Sequence, residues 1–113
     1  MAIENAQAEL IKFLNKFVPS WRDELVCARV ARGGYGFEDR EDSGEKFFLK
    51  KGFTSEELEA FLSSISFTYD SGYGSQELFG TVWGKDWWAE RREYDGREWW
   101  ELRRYPPIPQ ELS

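Results

Sequence analysis

Residues Trp87 to Tyr105 read WWAERREYDGREWWELRRY. The Asp95-Gly96 step inside them constrains the fold more than any other feature of the chain. Glycine accepts the positive φ of a type I′ turn, so Asp-Gly between two alternating runs signals a two-residue hairpin. Pairing outward from that turn sets Tyr94 opposite Arg97, Arg92 opposite Trp99 and Arg91 opposite Trp100. It continues with Glu90 opposite Glu101, Ala89 opposite Leu102 and Trp88 opposite Arg103. A three-residue loop with a bulge would slip the register by one, yet each strand would still have two unlike faces.

Residues paired across a hairpin share a face. One face therefore carries Trp87, Ala89, Trp100 and Leu102, with Arg91 beside them, and is expected to lie on the core. The other carries Trp88, Glu90, Arg92, Tyr94, Trp99, Glu101 and Arg103, and is expected to meet solvent. On it, Arg92–Glu101 and Glu90–Arg103 form diagonal charge pairs. Arg92 over Trp99 and Arg103 over Trp88 are expected cation–π contacts. A Trp/Tyr/Arg surface has the composition of binding hot spots. The competing reading is a self-contained ladder that only stiffens an exposed sheet.

The rest of the chain supplies what this hairpin packs against. Leu10, Phe13, Leu14, Phe17 and Val18 make one apolar stripe on an amphipathic helix that Pro19 ends. Leu25–Arg32 alternates as a strand, with Val26, Ala28 and Val30 on one face and Cys27 on the other. The glycine- and acid-rich stretch 33–46 reads as a long turn leading to a second strand, KFFLKKG. Thr54 and Glu57 have the spacing of a capping box. Phe53 is placed to staple onto Leu58, and Leu58, Phe61, Leu62 and Ile65 form the buried face of the helix that follows. From Phe67 the period changes to two, which predicts a meander of four strands ended by the prolines at 106–109. The expected fold is a single α+β domain over residues 1–113. Its antiparallel sheet combines that C-terminal four-strand meander with one or two N-terminal strands, packed against two amphipathic helices.

Composition narrows the chemistry. A single cysteine and the absence of histidine leave no internal disulfide, no Cys–His metal cluster and no histidine-based triad. The carboxylates of the 38–42 stretch do not follow a calcium-loop spacing. The glycines of the 33–46 stretch match neither the P-loop nor the dinucleotide fingerprint. A non-catalytic chain with no cofactor and no metal is the expectation. The net charge of −6 opposes nucleic-acid and anionic-membrane binding. It fits either simple solubility or an acidic surface aimed at a basic partner. With no apolar span and no basic leader, a cytoplasmic setting is expected. Asp70 to Glu77, DSGYGSQE, is a loop in which Tyr73 is either a presented contact or a ring folded back as a plug.

Three stretches carry a resemblance: TYDSGYGSQELFGTVW (68–83), EYDGREWWE (93–101) and PPIPQEL (106–112). Together they resemble a family of small phage and prophage proteins of uncharacterised function, over about the last 45 residues of the chain. The resemblance implies an origin, and with it the cytoplasm of a bacterial host, but no activity. The leading expectation is thus a phage- or prophage-encoded protein-binding module that inhibits or redirects a host protein, in the manner of an anti-CRISPR protein. Its partner could carry a basic nucleic-acid-binding groove, and its contacts would be Tyr73, Trp88, Arg92, Tyr94, Trp99 and Arg103. The alternative is a carbohydrate-binding module that stacks sugars on sheet-borne tryptophans. Single-strand nucleic acid stacked on the same rings is a third reading, which the net charge opposes.

Overall fold

A computed structural model describes residues 2–33, 45–71, 76–94, 97–106 and 109–112. Positions 34–44 of the expected turn at 33–46, the Asp95-Gly96 step, Tyr73 and positions 107–108 of the PPIPQEL stretch lie outside the described residues.

The chain runs β1 (Ala2–Asn5), α1 (Ala6–Phe17), α2 (Trp21–Glu24), β2 (Leu25–Arg32), β3 (Lys46–Leu49), α3 (Ser55–Ser64), β4 (Thr68–Ser71), β5 (Leu78–Gly84), β6 (Trp87–Tyr94) and β7 (Arg97–Arg104). A short 3₁₀ turn follows at Gln110–Leu112. The fold is α+β and all strand pairing is antiparallel. Five strands form one sheet in the order β3-β2-β5-β6-β7, and β1 pairs with β4 in a separate two-stranded sheet. None of the described helices is long and apolar enough to cross a membrane.

The four-strand meander is corrected to three strands. β5, β6 and β7 follow one another as expected, but β5 continues onto β2, and β4 leaves the sheet to pair with β1. Glu4 lies opposite Tyr69, and Ala6 N–H donates to the Phe67 carbonyl at 2.9 Å, so the start of α1 and the start of β4 are tied together. That tie brings Tyr69 under α1.

Both main helices begin as their sequences require. Asn5 caps α1 by accepting from Ala8 N–H at 2.9 Å. Thr54 and Glu57 form the reciprocal capping box on α3, at 3.1 and 2.9 Å. Leu58, Phe61, Leu62 and Ile65 are all buried, and Phe53 packs against the same core. In α1 the buried seam is Ala6, Leu10 and Leu14, one step of four after another, and Val18 extends it beyond the helix end. The wider expected stripe is corrected here. Phe13 is half-buried, and Phe17 is exposed and stacks on it at 5.0 Å.

Inside the sheet, two glycines make room for indoles. A Cβ on Gly84 would stand 2.0 Å from the Trp87 ring, and one on Gly80 would stand 2.8 Å from the Arg29 carbonyl and 3.1 Å from the Trp100 ring. Trp87 fills the space above Gly84 and donates from Nε1 to Glu24 at 2.9 Å. Bonds from Ser20 and Trp87 hold the Glu24 carboxyl below the usual carboxylate range. Trp21, also sealed, donates to Asn15 at 2.8 Å.

Candidate recognition face

The β6–β7 register is the one expected from a two-residue loop, from Tyr94 opposite Arg97 through to Trp88 opposite Arg103. It sends Trp87, Ala89, Arg91 and Trp100 into the core. It also sends Glu98 inward, because Glu98 stands two residues before Trp100 on the same strand.

Arg91 and Glu98 organise a buried polar centre. Arg91 donates to Glu98 at 3.1 Å, to Glu9 of α1 at 2.9 Å and to the Tyr69 hydroxyl of β4 at 2.9 Å. Tyr69 in turn donates to Glu9. Glu98 accepts from the backbone N–H groups of Glu77 and Leu78 at 2.8 and 3.0 Å, which secures the entry of β5. The Arg91 guanidinium lies 5.3 Å from the Trp100 ring centre and 5.5 Å from that of Tyr69. Burial opposes the charge on Arg91, but Glu9, Tyr69 and Glu98 together raise its pKa above the ordinary arginine value. Burial also raises the Tyr69 phenol, and the Glu9 carboxylate adds to that rise. Four elements, α1, β4, β6 and β7, thus meet on one guanidinium. This cluster is structural: it ties the helix and the small sheet to the back of the large one.

The opposite face of the sheet is built by the same registers. One row crosses all five strands as Phe48, Arg29, Thr81, Glu90 and Glu101. The next row reads Cys27, Trp83, Trp88 and Arg103. Trp83 is 40% exposed, Trp99 39% and Tyr94 74%. Trp88 is half-buried because the Tyr105 ring leans on it at 5.1 Å with a 57° tilt. Trp83, Trp88 and Tyr105 therefore form one aromatic corner, and Tyr94 and Trp99 form a second aromatic area towards the hairpin tip.

Between the two areas lies a lattice of four charged side chains. Arg92 Nε is 3.2 Å from Glu101, Arg103 Nη2 is 3.1 Å from Glu101, and Arg103 Nε is 3.5 Å from Glu90. Arg92 also comes within 3.8 Å of Glu90. Both expected diagonal pairs are present. The expected stacking of Arg92 on Trp99 and of Arg103 on Trp88 is not; these guanidiniums lie against carboxylates, whose charge attracts them more strongly than a ring face does. Among the described residues, the cations that sit over rings are Lys16, Arg22, Arg32 and Arg91.

Five of the six expected contact residues, Trp88, Arg92, Tyr94, Trp99 and Arg103, lie on this one face, and Tyr73 lies outside the described residues. Three exposed rings were missed: Phe48, Trp83 and Tyr105. Parity would have found two of them. Tyr105 follows Trp99, Glu101 and Arg103 at even spacing, and Trp83 pairs with Trp88 once Val82 is set against Ala89. Among the described residues, no group of three or more His, Cys, Asp or Glu side chains is placed to hold a metal ion.

No family model matches the chain, and neither the curated proteins nor the solved structures include a significant match to it.

Proposed function

We propose that the chain is a non-catalytic protein-binding module whose contact surface is the outer face of the five-stranded sheet. In the phage or prophage setting that its C-terminal half resembles, it would inhibit or redirect a host protein. The observation that carries this reading is the set of exposed rings, Trp83, Tyr94, Trp99 and Tyr105, held on a sheet whose core is completed by other side chains. Tyr and Trp at such positions bring large contact area with few rotatable bonds, which is why they dominate binding hot spots. The Arg92–Glu101–Arg103–Glu90 lattice fixes the floor between the rings. Its charges already satisfy one another, so the rings and not the guanidiniums carry the contact energy.

The charge on this face points to a partner different from the one expected from net charge. Its strands carry Lys46, Arg92, Arg97 and Arg103 against Glu90 and Glu101. Part of the acidic surplus lies elsewhere, as on the exposed Glu56, Glu57 and Glu59 of α3. A partner patch of apolar and acidic character fits the face better than a basic groove.

The carbohydrate reading stands second. Sugar stacking favours open, flat ring faces, and the Trp88–Tyr105 pair is tilted by 57°. The test is affinity capture from a bacterial host lysate with the wild-type chain and with Trp83→Ala, Tyr94→Ala and Trp99→Ala variants that melt normally. A partner held by the wild type and lost by the variants supports the proposal. Retention that ignores all three substitutions overturns it. Tryptophan fluorescence titrated with soluble glycans and with oligonucleotides tests the other two readings, and a saturable response to either would displace the first.

A further inference from the structure

A groove of about 220 Å³ is lined by Glu9, Lys12, Phe13, Lys16, Trp99 and Trp100. Trp99 and Trp100 are successive residues of β7, so their side chains leave opposite faces of the sheet. A groove lined by both of them and by one side of α1 lies against the edge of the strand. That edge is open: β7 is the last strand of its sheet, and among the described residues no strand pairs with its outer side. Eight residues is long for an unprotected edge.

The chemistry of the groove is specific. Glu9 is already committed to Arg91 and Tyr69. Lys12 and Lys16 are exposed, one helical turn apart, and neither is paired with a carboxylate among the described residues. The local charge is thus positive in a chain of net charge −6. Trp100, which is sealed, has an indole N–H with no hydrogen-bond partner, unlike the indoles of Trp21 and Trp87. The volume falls below the roughly 300–1,000 Å³ of small-molecule pockets and suits a single side chain.

We propose that the β7 edge takes an acidic, extended segment of a partner protein by strand addition. The segment's backbone pairs with β7, one apolar or aromatic side chain fills the groove between Phe13 and the two tryptophans, and a neighbouring carboxylate meets Lys12 and Lys16. This surface is separate from the outer face and does not rest on the reading given for it, Trp99 being the one residue they share.

The test is selection of a displayed library of random peptides on the full chain. Enriched peptides should combine Asp or Glu with one aromatic or large aliphatic residue. Synthetic copies should lose about tenfold or more in affinity for the Lys12→Glu/Lys16→Glu double variant, because both rim attractions become repulsions. N-methylation of the peptide backbone should abolish binding, while Tyr94→Ala, on the outer face, should leave it unchanged. Lysine reversal touches two exposed side chains, and an unchanged melting temperature checks that the fold is intact. The proposal is overturned if no peptides are enriched, if basic ones are, or if binding ignores either the lysine reversal or the backbone methylation.

Discussion

Arg91 and Glu98 meet on the diagonal of the β6–β7 hairpin, with Nη2 and Oε1 3.1 Å apart and both side chains sealed from solvent. A buried ion pair contributes little over an apolar pair of the same size, but removing one partner strands the other. Glu98→Ala would leave the Arg91 charge facing Glu9 alone and also orphan the N–H groups of Glu77 and Leu78. The expected cost is about 3–5 kcal/mol, measured by urea unfolding. A loss below about 1 kcal/mol would mean that this cluster does not hold the hairpin to the helix.

Gly84 tests the packing of the inner indoles. Gly84→Ala puts a methyl 2.0 Å from the Trp87 ring, a buried indole that can make room only by shifting within the core. Overpacking of this kind costs about 1–3 kcal/mol, and moving Trp87 also breaks its bond to Glu24. The melting temperature should fall and the tryptophan emission should shift. Gly52→Ala is a contrasting control, because that site has open space and only a positive φ of 85° to resist the change. It should cost about 1 kcal/mol without altering emission.

Tyr69 sets the behaviour at high pH. Its phenol is raised above the ordinary tyrosine value of about 10. Between the unfolded and the folded pKa, the native state holds a proton that the unfolded chain has released. The Tyr69 contribution to stability is therefore complete below pH of about 10 and is lost as pH climbs through the folded value. Tyr69→Phe should be less stable at neutral pH, since the hydroxyl serves both Glu9 and Arg91. It should also show a shallower fall in stability in alkali than the wild type, as read from denaturant midpoints at a series of pH values. Parallel curves would contradict this.

The outer rings should be dispensable for folding. Tyr94→Ala removes a side chain that is 74% exposed, and its unfolding free energy should stay within the range of ordinary surface substitutions, about ±0.5 kcal/mol. Truncation of a true hot spot costs about 2 kcal/mol or more in binding. Loss of a partner without loss of stability is the signature expected for Tyr94 and Trp99. A large drop in stability on removing Tyr94 would instead make the face a structural ladder.

The hairpin was legible because three local signals agree: an Asp-Gly step, aromatic and charged residues that separate onto two faces at period two, and opposite charges on the diagonals. The α3 helix was legible for the same reason, its capping box and apolar face falling in phase. What escaped was non-local. β1 is four residues, AIEN, with no alternation and a helix directly behind it, so nothing in it announces that it draws β4 out of the meander. Glu98 was hidden by its own polarity. The register that sent Trp100 inward also sends Glu98 inward, but a carboxylate at a core position becomes readable only when Arg91 is seen to need it. Phe17 shows the converse error. It fits an apolar stripe by spacing, yet α1 buries a seam narrower than the stripe.

The proposed face exists only if the six tryptophans divide between core and outer face. Uniform labelling with 5-fluorotryptophan, with resonances assigned by single Trp→Phe variants, reports each ring through the fluorine shift between light and heavy water. Trp83 and Trp99 should show large solvent shifts, Trp88 a smaller one, and Trp21, Trp87 and Trp100 none. Six solvent-insensitive resonances, or exposure of Trp87 and Trp100 in place of Trp83 and Trp99, would contradict the existence of the proposed face.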